Sequence, residues 1–282
     1  MTSPNPQQKD HWSAEAYSTS ASFVPKLTQT LLRYLDPQPT DRVLDVGCGD
    51  GKFTELFLPS IAYVLGIDSS PAMIDAANTD YRSAKAEFRV LDCCYLDREA
   101  EGLCGGGVGE GKWDKVISNA ALHWILRPES TRLKTLAGIH ACLKPGGVFV
   151  FEMGGHGNVA EVQSALIYAL VQNGVSVEEV RRVNPWFFPS VEWMTAALEG
   201  VGFTVERMEI EDRPTKLTAD KNGGLAGWVR LMGARFLEVL PEEKREGVVR
   251  QVCEVLFTAL TRVEDGSQWL GYRRLRGLAR RV

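Results

Sequence analysis

Val43-Leu44-Asp45-Val46-Gly47-Cys48-Gly49-Asp50-Gly51 is the stretch on which the fold turns. A short, mostly apolar run of strand type passes straight into alternating glycines, the pattern of a buried strand ending in a tight turn. Glycines at such a turn let a ligand approach the backbone closely. The next strand pattern, Tyr63-Val64-Leu65-Gly66-Ile67, ends at Asp68. A carboxylate there can accept both hydroxyls of a ribose, each charge-assisted bond being worth ~1.5–3 kcal/mol. Turn and carboxylate together indicate a nucleoside ligand. A dinucleotide fold spaces its glycines G-x-G-x-x-G. Here the spacing is G-x-G-x-G, with Lys52 where the third glycine of that motif would stand. Asp45 would also repel a pyrophosphate and suits a cationic ligand.

Outward from this stretch, short strands alternate with helices. Leu27, Leu31, Tyr34 and Leu35 form a helical stripe that Pro37 and Pro39 stop, and Phe53, Leu56 and Phe57 recur at helical spacing after the glycines. Ser70 as N-cap and Pro71 at the first helical position open another helix. Glu87–Leu91, Lys115–Ser118 and Val148–Phe151 read as further strands, the last following the turn Lys144-Pro145-Gly146-Gly147. This alternation predicts a doubly wound, Rossmann-like α/β sheet, mostly parallel, with ligands at the strand C-termini. Beyond Gly157 the rhythm becomes helical. Asn158 with Glu161 reads as a capping box opening a helix to Gly174. Helices are expected at Val191–Leu198, Trp228–Leu240 and Val248–Leu256, the last with Pro241 at its start, and a strand at Phe203–Val205. Tyr272–Val282 reads as a final antiparallel strand, its arginines Arg273, Arg274, Arg276, Arg280 and Arg281 in solvent. The expected organisation is an N-terminal segment and helix (1–40), a ligand-binding core (41–156), and remaining strands with a helical cap (157–282).

The 282 residues carry 32 basic and 36 acidic side chains, a formal charge of -4. That balance argues against a protein built to neutralise nucleic-acid phosphates. No run approaches the ~18 apolar residues of a membrane span, so no membrane partner is expected. The opening residues lack the apolar core of a secretory signal, and the expected location is cytoplasmic. Six scattered cysteines show no metal-ligand spacing and read as free thiols, with no metal site. Gly106–Trp113 nearly spells a phosphate-binding loop, but Trp113 stands where Ser or Thr must reach magnesium, so it reads as a surface loop.

At this level of detail the residues resemble the class I S-adenosylmethionine-dependent methyltransferases. Gly66-Ile67-Asp68-Ser69-Ser70-Pro71-Ala72-Met73 is similar to the ribose-binding segment of that family, and Asp92-Cys93 stands where the family contacts adenine. Trp113–Trp124 resembles its fourth-strand motif, and Leu143–Val148 its helix-to-strand turn. The resemblance implies S-adenosylmethionine as cofactor. It implies that Asp45, Gly47, Cys48, Gly49 and Gly51 form the loop around the methionine portion, and that Asp68 and Ser69 lie at the ribose. Met73, Asp92 and Cys93 would border adenine, and Asn119 would lie near the sulfonium.

The trans-aconitate methyltransferases are the nearest resemblance within that superfamily, carried by the ribose segment, by Asn119-Ala120-x-Leu122-x-Trp124, and by Trp228-Val229 with Gly233 and Arg235. His123 stands where that group is expected to have Gln. The resemblance implies O-methylation of a carboxylate on a small molecule. An ionised carboxylate needs no general base, but it needs a cation to hold it, and Arg235 is the candidate. A hydroxyl or amine of a secondary metabolite is the alternative acceptor, with His123 as its base. Trp124 and Trp228 are candidate pocket walls, and Trp12 and Tyr17 candidate covers over the site, whereas Trp186, Phe187 and Phe188 read as core aromatics. A cofactor-binding protein without methyl transfer and a nicotinamide oxidoreductase are the rivals of other classes. A monomer or dimer is expected.

Overall fold

A computed structural model of the chain describes residues 28–96, 98, 102–103, 111–218 and 223–282. Its elements in chain order are α1 (Gln29–Leu35), β1 (Arg42–Val46), α2 (Lys52–Glu55), β2 (Tyr63–Asp68), α3 (Pro71–Tyr81), β3 (Ala86–Val90), β4 (Trp113–Asn119), α4 (Leu122–Ile125), α5 (Glu129–Cys142) and β5 (Leu143–Gly154). The second half adds α6 (Ala160–Gln172), α7 (Val177–Val183), α8 (Val191–Gly200), β6 (Phe203–Lys216), α9 (Gly224–Met232), α10 (Ala234–Leu237), α11 (Glu242–Leu260) and β7 (Trp269–Arg281).

The described strands form one sheet in the order β3-β2-β1-β4-β5-β7-β6. Strands β1 to β5 pair in parallel, and β7 runs antiparallel to both β5 and β6. The Rossmann-like expectation therefore holds. Strand order reverses beside β1, and the ends of β1, β2, β4 and β5 meet at one edge, the usual place for a ligand. The apolar run of β1 is buried on both faces. Leu44 and Val46 join the core shared with α5 and α8, and Val43 joins the core under α1 and α3. Both-sided burial is why the strand reads as a run rather than an alternation.

The later helices carry a third core of their own, centred on Leu166, Trp186, Trp228, Phe236 and Val252. Among the described residues no helix is long and apolar enough to cross a membrane.

Four expectations need correction. Asn158 and Glu161 do not cap α6, whose N-cap position is Val159 with φ 46. Instead Asn158 Oδ1 accepts from the Arg273 amide at 2.9 Å and Glu161 Oε1 from the Gly271 amide at 2.6 Å, so both side chains tie the helix start to β7. The Trp228–Leu240 pattern is two helices broken at Gly233. Strand β6 runs on through a charged stretch to Lys216, which its place at the sheet edge tolerates. The last strand is not a solvated one. It lies inside the sheet, and Arg274 and Arg276 are only 6% and 2% exposed because carboxylates meet them. Helix α7 was not expected, although its capping signature Ser176…Glu179 is in the sequence, and the Ser176 hydroxyl does accept from the Glu179 amide.

Candidate active site

The glycine turn leaves β1 over the end of β2. The Gly47 and Cys48 amides both donate to the Ile67 carbonyl, at 2.8 and 3.1 Å. Gly47 has φ +75, and a Cβ there would collide with that of Ala121, so no other residue fits. Gly49 differs: at φ +55, a Cβ would meet nothing within 4 Å, so this backbone faces open space. Burial pushes up the thiols of Cys48 and Cys93, which act as packed, inert groups.

Two aspartates flank this space in different states. Asp68 is partly exposed and anchored by backbone: its Oδ2 accepts from the Gly49 amide at 3.1 Å and its Oδ1 from the Ser70 amide at 2.9 Å. Both oxygens are thereby held in place at the end of β2. Asp45 is 1% exposed. Its Oδ2 accepts from the Thr54 hydroxyl at 2.6 Å, while Oδ1 is buried with no partner among the described residues. Burial, with a contribution from the Asp68 charge, pushes this carboxyl up to about 7 against the pull of Thr54. A buried carboxylate without a countercharge suits a cation.

Asn119 ends β4 beside Glu152 of β5, and its Oδ1 is a second buried acceptor without a partner among the described residues. The next residue, Ala120, sits at φ 57, a left-handed conformation costing ~1–2 kcal/mol in a residue with a Cβ. Its amide donates to the Glu152 carbonyl, which holds the strained turn. On the far side, Ser70 caps α3 through the Met73 amide and Met73 is buried. The exposed Asp92 caps the short turn Cys93–Tyr95 through the Cys94 amide. The cofactor candidates Asp45, Gly47, Gly49, Asp68, Met73, Asp92 and Asn119 thus share one edge of the sheet.

His123, 7% exposed on α4, accepts the Gly154 amide proton at Nδ1 over 3.3 Å. The ring proton must then sit on Nε2, which makes the imidazole a donor. Burial, aided by the Arg274 charge, holds its pKa well below the ordinary histidine value. A ring that cannot readily take a proton is not placed as a base. The Tyr272 phenol, pushed up to about 12 by burial, is no base either.

Aromatics gather around His123. Its ring is 5.3 Å from Trp124 and 5.7 Å from Phe188. Trp186 stacks on Phe188 and lies 5.9 Å from both Trp124 and Trp228. Trp186 and Phe188 pack, as expected, with the apolar core of the later helices, where they meet Trp124 and Trp228. Trp228 donates its indole N–H to Tyr272 at 2.6 Å. Arg235, on α10, is half-buried, with Glu238 and Arg182 acting on its charge and its own charge acting on Arg127. Trp12 and Tyr17 lie outside the described residues. No group of three His, Cys, Asp or Glu side chains that could hold a metal occurs among the described residues.

Known proteins resemble this chain in sequence and in fold. The family model described as "Methyltransferase domain" matches residues 20–208. An uncharacterized methyltransferase of Schizosaccharomyces pombe is 36% identical over 96% of this chain and 98% of its own. A trans-aconitate 2-methyltransferase of Methylobacterium radiotolerans is 27% identical over 85% and 86% of the two chains. Among solved structures, the YcgJ protein of Bacillus subtilis shares the fold with a TM-score of 0.59 at 12% identity, over 89% of this chain and 96% of that one.

Proposed function

The chain belongs to the methyltransferase-domain family as a class I S-adenosylmethionine-dependent enzyme, and on that premise we propose that it methylates a carboxylate oxygen of a small organic acid. The cofactor fits the residues present. The partnerless Asp45 Oδ1 and the open face of Gly49 suit an ammonium-bearing methionine chain, and Asp68 suits a ribose. Met73, Asp92 and Cys93 would border adenine, and Asn119 would lie near the sulfonium. Bound there, the cofactor supplies an electrophilic methyl group whose transfer to a carboxylate leaves a neutral ester and a neutral thioether, with no proton to move.

The task of the protein is then alignment and exclusion of water, and alignment alone can contribute ~7–11 kcal/mol. In this reading the 41–156 core holds the cofactor and contributes Trp124 to the acceptor pocket, and the segment beyond residue 157 covers the acceptor with Trp186, Phe188 and Trp228. The observation that carries the choice of a carboxylate is the state of His123: with Nδ1 occupied by the Gly154 amide, it has no lone pair to offer a hydroxyl or amine. The name of the Methylobacterium relative points to the same acceptor chemistry and makes trans-aconitate the first probe.

Incubation with methyl-labelled cofactor and a panel of organic acids, alcohols and amines tests this. Label should enter an acid as a base-labile ester. His123→Ala should keep turnover within about tenfold of wild type, since loss of a true general base costs ~10²–10⁴-fold. Label found only in alcohols or amines, in no acceptor at all, or near-complete loss in the variant would overturn the reading.

A further inference from the structure

Glu152, beside Asn119 at the end of β5, is 2% exposed and accepts five N–H bonds. Arg213 clasps it with both Nη atoms at 2.9 and 3.0 Å. Arg276 gives Nε at 3.0 Å and Nη2 at 2.7 Å. Both arginines are shared with Glu211, and Arg276 also reaches Glu209. Arg274 is the exception. It gives Glu152 only its Nε, at 3.2 Å, and among the described residues its Nη1 and Nη2 have no hydrogen-bond or ion-pair partner. The residue is nevertheless 6% exposed. Neither Nη is among the fully buried polar atoms left without a partner, so both keep an opening through which a ligand can reach them, and the other two arginines show that the sheet can supply carboxylates when it needs them.

The position of Arg274 is equally specific. It pairs across the sheet with Gly154, whose amide meets His123, and its charge helps keep that imidazole neutral. Its guanidinium carbon is 6.0 Å from the Tyr272 ring, and Tyr272 in turn holds Trp228. Arg274 therefore stands between the Asn119 edge of the sheet and the aromatic group of the cap.

We propose that Arg274 is the specificity-determining residue that recognises the acceptor's negative charge, its two Nη groups clamping a carboxylate of the substrate while Glu152 fixes the third nitrogen. The planar fork matches a carboxylate at two points. Its mount is held in advance by Glu152, Arg213 and Arg276, so little order has to be imposed on binding. The assignment rests on the carboxylate reading above and moves the cation expected at Arg235 to the sheet.

Calorimetry of trans-aconitate and malonate on protein saturated with S-adenosylhomocysteine tests it, with steady-state kinetics alongside. Wild type should bind at least one of these acids. Arg274→Gln should weaken that acid about 10- to 100-fold and raise its KM in step, with affinity for S-adenosylhomocysteine unchanged and kcat at saturating acid little altered. Arg274→Lys, which keeps the charge but loses the fork, should fall between the two. Acid binding of wild-type strength in Arg274→Gln overturns the proposal. Should that variant lose S-adenosylhomocysteine binding through misfolding, Arg274→Lys decides, and undiminished acid affinity there overturns it equally. A wild type that methylates an acid while ignoring both substitutions sinks only the role of Arg274. A wild type that binds neither acid overturns the clamp, and transfer of label to no acid sinks the carboxylate reading beneath it.

Discussion

Asp45 carries one bond too few, and its titration should show it. Its carboxyl is raised to about 7 by burial, so the free protein holds it protonated at lower pH. This group contributes stability that is fully present below its unfolded value near 4 and is lost as pH rises through about 7. Above that, the fold contains a buried anion for which only a bound cation compensates. Affinity for S-adenosylhomocysteine, whose ammonium group requires the ionised form, should therefore tighten about tenfold between pH 6 and pH 8, following the ionised fraction. Asp45→Asn should bind more weakly and with a flat profile over that range, read by calorimetry; a wild-type affinity independent of pH would contradict the pairing. Asp45 and the glycines were legible as candidates because they are neighbours in the chain, and Asp68 because it ends the next strand pattern. Glu152 and Arg274 were not, since their meeting spans 122 positions and depends on which strand lies between which.

At the scale of elements, β7 shows how a charged strand enters a sheet. Arg274, Arg276 and Arg280 lie on the face opposite Leu275 and Ala279, which are fully buried, so the middle of the strand is amphipathic with cations on one side. What allows this is the set of acids on β5 and β6, Glu152, Glu209 and Glu211, and no local pattern in β7 announces them. The strand alternation of the first half was readable because parallel strands buried on both faces are apolar runs. The length of β6 was not, because an edge strand looks like a polar loop. Burial alone would raise the Glu152 carboxyl, but Arg274, Arg213 and Arg276 outweigh it and hold it below the usual carboxylate range. Glu152→Gln should thus leave three arginines short of a countercharge and cost ~3–5 kcal/mol in urea unfolding at neutral pH. A group whose pKa is lowered by folding contributes above its unfolded value, near 4.5, and loses that contribution as pH falls. The gap between wild type and variant should narrow on acidification; a gap constant with pH would show that the charge is not what Glu152 provides.

For the whole molecule, the question is how a cap with its own core stays registered to the sheet that would bind the cofactor. The cap core of α6, α7, α9, α10 and α11 shares few apolar contacts with the sheet cores, and polar ties bridge the two. Asn158 and Glu161 hold the start of α6 to β7, the Phe187 amide reaches the His123 carbonyl, and Trp228 donates to Tyr272. Of these, the Trp228–Tyr272 bond can be removed with little change of shape. Tyr272→Phe keeps the ring and deletes only the accepting hydroxyl, a loss of ~1 kcal/mol for one buried hydrogen bond. If the cap opens as a unit of its own, amides of α9 and α11 should exchange about fivefold faster in the variant. Those of β1, β2 and β4 should keep their rates, because their cores lie on the other side of the tie. Affinity for the organic acid should drop and affinity for S-adenosylhomocysteine should hold, separating the two halves of the site in one variant. Faster exchange spread evenly over sheet and cap would mean instead that cap and sheet open together, and that acceptor and cofactor affinities cannot be tuned apart.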